Sequence, residues 1–213
     1  KVVVLTGYTS IVTGQGEKVL EKLNLPSDIA ITTGNTMTAA LCIDGAEKAV
    51  SLLGKNLSNL TVTVVGATGD IGNIYSKEMS KKAKKVILCV RDIDKAYDCF
   101  PELRNSNVDS FVIEQNIDRA TKQADLILLA TSSFLSILDS KALKDGAIIC
   151  DVSLPHNVEK DIAQKRKDIF VYDGGIAKLS EFSEPSRKWK KFIKNGQEIH
   201  GCIAEGLVLA LEN

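Results

Sequence analysis

The chain has 213 residues, 44% of them hydrophobic and 25% charged, which suits a globular protein with one good core or a main domain plus a partial second one. Lys+Arg and Asp+Glu both number 27, so the formal net charge is zero, and the basic excess that a nucleic-acid partner leaves is absent. No apolar stretch approaches the ~20 residues of a membrane span, so an integral membrane segment is not expected.

The elements are predicted as follows. Residues 1–5 form a β-branched run that reads as a buried strand, followed by the loop Thr6-Gly7-Tyr8-Thr9-Ser10. A second short apolar piece covers 29–31, and Thr32-Thr33-Gly34-Asn35-Thr36 then supplies the hydroxyls and amide of a helix cap. Residues 37–53 have helical apolar spacing, and Gly54 is a natural stop. Strands are predicted at 60–65, 85–90, 111–113, 124–130, 147–152 and, as the last, 169–172. Helices or helical turns are predicted between them at 71–83, 93–100, 117–123, 141–143 and 158–165. Near-continuous apolar strands separated by helices predict a Rossmann-like, doubly wound α/β fold with a mainly parallel sheet. Residues 180–195 are polar, and 201–211 form an apolar C-terminal helix.

Three segments are expected: a first segment at 1–56, a Rossmann domain at 57–180, and a C-terminal helical segment at 181–213. The chain starts at Lys1 rather than Met, so the N-terminal part of the first segment is expected to be missing.

The strand at 60–65 runs straight into Gly66-Ala67-Thr68-Gly69-Asp70-Ile71-Gly72. The first glycine permits a tight turn, the second lets a pyrophosphate approach the backbone, and the third lets helix and strand pack closely. The helix then offers its free N–H groups to phosphate. The next strand ends in Arg91-Asp92, where the adenosine ribose is read. Arg91, with Lys95 one turn on, favours the 2′-phosphate of NADP(H); Asp92 is the counter-argument unless it caps the following helix. Ala130-Thr131-Ser132 follows a core strand and either lines the cofactor crevice or serves as an ordinary cap. Gly174-Gly175 either lets the backbone approach a nicotinamide or is a turn.

The two basic runs, Lys81-Lys82-Ala83-Lys84-Lys85 and Arg187-Lys188-Trp189-Lys190-Lys191, read as solvated helix ends. Five cysteines without a CxxC pair argue against a disulfide framework or a structural zinc site, and for a reducing, cytoplasmic setting. Cys202 sits near the start of the last helix, where a thiolate could be stabilised; a core position is the competing reading.

The segments Gly7-Tyr8-Thr9-Ser10-Ile11, Thr32-Thr33-Gly34-Asn35-Thr36-Met37-Thr38-Ala39, the 62–72 run, Gly174-Gly175-Ile176 and Cys202-Ile203-Ala204-Glu205-Gly206 occur in the order found in one family. By these the chain resembles the long-chain acyl-acyl-carrier-protein reductases of cyanobacterial type, which form fatty aldehydes. The resemblance implies that NADPH reduces an acyl thioester, on acyl-carrier protein or coenzyme A, to an aldehyde. It also implies that Cys202 holds the acyl group as an enzyme thioester, with donors near Ser10 or Asn35 holding the oxyanion. The resemblance further implies that 1–56 is a partial substrate or catalytic segment, that the 57–180 domain binds NADP, and that 181–213 packs back on the substrate side. The family pattern has His where this chain has Met37, and it carries a region before the Gly-Tyr-Thr-Ser segment and a tail beyond the cysteine helix. Two other readings are a different oxidoreductase, of shikimate dehydrogenase-like or glutamyl-tRNA reductase-like type, and a non-catalytic nucleotide-binding module. An oligomer is compatible with all three.

Overall fold

The computed structural model describes residues 1–104, 111–133, 135–159, 162–179, 187, 190–195 and 197–212. In chain order the elements are β1 (Val2–Val4), α1 (Tyr8–Val12), α2 (Glu17–Lys22), β2 (Ala30–Thr32), α3 (Asn35–Leu52), β3 (Thr61–Val65), α4 (Asp70–Ser80), β4 (Lys85–Cys89) and α5 (Ile93–Cys99). They continue with β5 (Phe111–Glu114), α6 (Ile117–Lys122), β6 (Leu126–Leu129), β7 (Ile148–Asp151), α7 (Ile162–Lys165) and β8 (Phe170–Asp173). The chain closes with β9 (Ile176–Lys178), β10 (Ile193–Lys194), β11 (Glu198–His200) and α8 (Gly201–Leu211). It forms two compact units, one of residues 42–174 and one of residues 1–41 with 175–213, and the division falls inside α3.

The 42–174 unit is a six-stranded, all-parallel sheet in the order β5-β4-β3-β6-β7-β8. The chain reverses its direction of travel between β3 and β6, the topological switch point at which such sheets take a dinucleotide. β6 is buried along its whole length, so both faces of the sheet are covered. One face joins Val62, Val64, Leu88 and Leu128 to Ala46, Tyr75 and Met79 of the helices. The other joins Val65, Ile87, Ile127 and Leu129 to Ala120, Ala124 and Ile162. Each fully buried aliphatic side chain contributes about 1.5–3 kcal/mol. Thr63 is a polar residue within this core, and it is tolerated because its hydroxyl donates to Ala120 O at 2.8 Å.

The smaller unit holds the parallel pair β1–β2 and the antiparallel sheet β10-β11-β9. α8 lies close on β1 because Gly206 carries no side chain: a Cβ there would come within 2.2 Å of Val4 Cγ2.

Several sequence expectations need correcting. β1 is not buried; Val3 is 43% exposed. The expected loop after it contains α1, whose first turn is held by Ser10 and Thr9 hydroxyls bonded to Gly7 O and Thr6 O. α2 carried no apolar signal, and none of its residues is buried. Residues 141–143 form a turn rather than helix, closed by Ala142 N to Asp139 O. β8 is not the last strand: β9, β10 and β11 follow it. Within the helix expected at 158–165, residues 158 and 159 are not helical and Lys160 and Asp161 lie outside the described residues. So do Ser180–Ser186, Lys188 and Trp189 of the polar segment.

Candidate active site

The phosphate-binding turn follows β3 directly. Gly66 has φ +87°, and a Cβ on it would lie 2.3 Å from Ala130 O. A Cβ on Gly72 would lie 2.3 Å from Gly66 O, so α4 packs on the turn through that glycine. Both positions therefore require glycine. Gly69 differs: it is exposed, its φ is −83°, and a Cβ there would meet nothing closer than 3.4 Å. It is the N-cap of α4 and gives the helix no side-chain cap. The first helical bond is Asn73 N to Gly69 O, so the N–H groups of Asp70, Ile71 and Gly72 precede the ladder and have no acceptor within it. An exposed glycine beside an uncapped eleven-residue helix fits a dinucleotide pyrophosphate, which the N–H groups and the helix dipole would hold.

Arg91 follows β4 and is exposed. Its carbonyl accepts from Gln115 Nε2 at 3.0 Å. Asp92 is the N-cap of α5, its carboxylate accepting from Lys95 N at 3.1 Å. The acidic residue is thus committed to the helix, and Arg91, the residue before it, is exposed at the end of β4.

Around the ends of β6 and β7 the chain forms a polar lattice. Asp151, 2% exposed, accepts from the N–H groups of Ser153 (3.0 Å), Asn157 (2.7 Å) and Val158 (3.0 Å). Thr131 Oγ1 donates to Asn157 Oδ1 at 2.5 Å, and Asn157 Nδ2 donates to Ser133 O at 2.9 Å. Thr131 thus stitches two loops together, whereas Ser132 is exposed and Ala130 is paired to Val65 O through its N–H. Asp151 and Asn157 were not singled out from sequence as site formers; the only signal was a strand ending in a carboxylate. Gly174 is explained by packing, because a Cβ there would meet Cys150 Sγ at 2.5 Å and Cys42 Sγ at 3.1 Å. Gly175 has φ +69°, and its carbonyl accepts Gly201 N at 2.7 Å.

In the other unit, Cys202 lies in the first turn of α8, after the N-cap His200, and is half-buried. Gly34 meets it backbone to backbone: a Cβ on Gly34, at φ +71°, would lie 2.2 Å from Cys202 Cα and 2.5 Å from Cys202 O. Burial pushes the Cys202 thiol above its ordinary range, while the N–H groups of Ile203, Cys202 and Gly7 pull the other way and the Glu205 carboxylate adds to the rise. Burial outweighs these N–H groups, so the thiol is harder to ionise than a free cysteine. Glu205 accepts the Thr32 hydroxyl on one oxygen and Met37 N–H on the other, the latter at 2.7 Å. Ser10 is buried, and its hydroxyl donates to Gly7 O at 2.8 Å; Asn35 opens α3, its N–H pointing at Thr33 Oγ1 at 3.4 Å. Gly34 and Glu205 were missed as site residues, although both lie inside the motifs quoted above.

The family model for Shikimate / quinate 5-dehydrogenase matches residues 46–174, more than half of the chain. The aminotransferase PigE of Serratia sp. (strain ATCC 39006) is 29% identical over 214 residues, covering 98% of this chain and 24% of that protein. The long-chain acyl-(acyl-carrier-protein) reductase of Synechococcus elongatus is 26% identical over 217 residues, covering 98% of this chain and 61% of that protein. The chain thus spans about a quarter and about three-fifths of the lengths of these two relatives. The structure of glutamyl-tRNA reductase from Methanopyrus kandleri superposes with a TM-score of 0.50 at 18% identity, covering 64% of this chain and 34% of that one, and supports the fold. Among the described residues no helix is long and apolar enough to cross a membrane.

Proposed function

The chain belongs to the shikimate/quinate 5-dehydrogenase family through its nucleotide-binding unit, and from that premise we propose that it is an NADP(H)-dependent reductase of acyl thioesters. The acyl donor is a thioester of acyl-carrier protein or coenzyme A, the acyl group is held on Cys202, and the product is an aldehyde. The observation that carries this reading is a cysteine in the first turn of α8, half-buried and packed backbone to backbone against Gly34. The likeness to an acyl-carrier-protein reductase supports it. The likeness to an aminotransferase is compatible with it, because transamination consumes a carbonyl group of the kind this reaction releases.

Cys202 Sγ attacks the thioester carbonyl carbon as the proton leaves the thiol. The tetrahedral oxyanion collapses, the C–S bond to the carrier breaks, and the carrier thiolate takes up the proton. The N–H groups of Gly7, Cys202 and Ile203 stabilise the sulfur anion in this step. When bound, the reduced nicotinamide supplies the hydride for the acyl carbon. Cys202 then departs as thiolate, is held by the same three N–H groups and regains a proton. Gly66, Gly69 and Gly72, with the first N–H groups of α4, would hold the pyrophosphate, and Arg91 the 2′-phosphate. Thr131, Ser132, Gly174 and Gly175 remain proposed members of the cofactor side. Ser10 and Asn35 remain proposed oxyanion neighbours, with the Ser10 hydroxyl proton already given to Gly7 O. Five free thiols suit a reducing compartment, and the cytoplasm is the proposed location.

The test is intact-mass analysis after incubation with acyl-CoA and acyl-carrier protein, coupled to NADPH oxidation. The expected result is one acyl group on Cys202, lost with the activity in Cys202→Ser. A second reading, hydride exchange with a hydroxy acid of the shikimate or quinate class, is favoured by the family match across the nucleotide unit. It predicts turnover of such acids that Cys202→Ser leaves unchanged.

A further inference from the structure

We propose that Glu205 is the positioning residue of the Cys202 site, its carboxylate fastening the 32–37 segment across the thiol. This rests on the reading of Cys202 as the acyl-accepting thiol. Cys202 and Glu205 are three apart on α8 and share a face of the helix. The two carboxylate oxygens take hydrogen bonds from Thr32 Oγ1 and from Met37 N–H, so the two anchor points lie on either side of Gly34. Met37 N–H is one of the unladdered donors in the first turn of α3, so Glu205 caps that helix from outside it. Gly34, between the two anchors, is the residue that packs on the Cys202 backbone.

The anchor also carries charge. Of the charged and titratable groups on the elements around Cys202, β2 and the 30–41 stretch supply none. Tyr8 follows Gly7 on α1, Lys178 lies on β9, and Glu198 and His200 lie on β11. Glu205 is a group whose field reaches the thiol, and it opposes ionisation. The carboxylate that fastens the segment therefore also adds to burial in disfavouring the Cys202 thiolate.

The test is the pH profile of Cys202 labelling by iodoacetamide, read by mass spectrometry of its peptide in the full chain, with thermal melting as the check on folding. Glu205→Gln keeps the shape of the clamp, since its carbonyl accepts from Met37 N–H and its amide donates to the Thr32 hydroxyl. Removing the charge is expected to lower the labelling midpoint by about half a pH unit, which is about threefold faster labelling at pH 7. Thr32→Val keeps the charge and removes one anchor; the high-pH plateau rate rises about twofold or more as the segment loosens, and any fall in the midpoint from lesser burial of the thiol stays smaller than in Glu205→Gln. An unmoved midpoint in folded Glu205→Gln, or an equal shift in Thr32→Val, overturns the proposal. If Glu205→Gln does not fold, an unchanged plateau in Thr32→Val overturns it alone. No acyl donor or nucleotide enters this assay, so its outcome is separate from that of Cys202→Ser turnover.

Discussion

Gly34→Ala isolates the contact on which the cysteine site depends. Carbon atoms in contact sit about 3.5–4.0 Å apart. The new methyl carbon would stand 2.2 Å from Cys202 Cα, 2.5 Å from Cys202 O and 2.6 Å from Cys202 Cβ. Two of those three atoms are backbone and cannot rotate away, so the 32–37 segment must retreat from α8 by about 1 Å or more. The φ of +71° adds a second cost, about 1–2 kcal/mol for a residue with a Cβ. A misplacement of about 1 Å near the reacting atoms costs about a hundredfold in rate. Acylation of Cys202 by acyl-CoA, followed by intact mass against time, is expected to slow by about that factor. NADPH binding, followed by nucleotide fluorescence, is expected to stay within about twofold, because the 66–72 turn belongs to the other compact unit. Circular dichroism establishes that the variant is folded. Acylation at the parental rate in a folded Gly34→Ala would show that the packing of Gly34 on Cys202 does not govern the thiol.

Arg91→Ala is expected to weaken NADPH binding by about tenfold or more and to leave NADH nearly unchanged; titration with both nucleotides checks it, and equal losses would remove the 2′-phosphate assignment. Alkaline stability should report on Cys89, whose thiol is pushed up to about 11 by burial, with the Glu114 carboxylate adding to the rise. The unfolded thiol loses its proton from about pH 8.5–9, the folded one only near 11, so the folded state binds more protons in that window and stability falls as pH rises through it. Denaturant titrations at pH 8 and pH 11 should therefore show the stability deficit of Cys89→Ala shrinking with pH, and a constant deficit would refute the linkage.

Much of the nucleotide-binding unit was legible in the sequence because its signals are local. A β-branched run, three glycines at fixed spacing and alternating apolar segments each report on neighbouring residues, and the strands at 60–65, 85–90 and 147–152 fell within a residue or so of β3, β4 and β7. The small elements were illegible for the same reason. α2 buries none of its residues, so no apolar period marks it. β9 and β11 are held by pairing between residues some twenty positions apart, and two- or three-residue strands leave no pattern of their own. The ambiguity at Asp92 was a question of where one carboxylate points, and the Lys95 N–H answers it.

By itself the sequence determined the character of the chain: a parallel, doubly wound sheet, a glycine turn that opens on a bare helix N-terminus, and a cysteine at the head of an apolar helix. Backbone propensity and side-chain period act over a few residues, and those features need nothing more. Only the tertiary structure decided what surrounds the cysteine. Gly34 and Cys202 are 168 positions apart, as are Met37 and Glu205. A close approach of two backbones, or a carboxylate that caps the helix of another segment, exists only once the chain has folded. The thiol's resistance to ionisation has the same origin, since burial and the field of Glu205 outweigh the helix terminus that the local sequence displays.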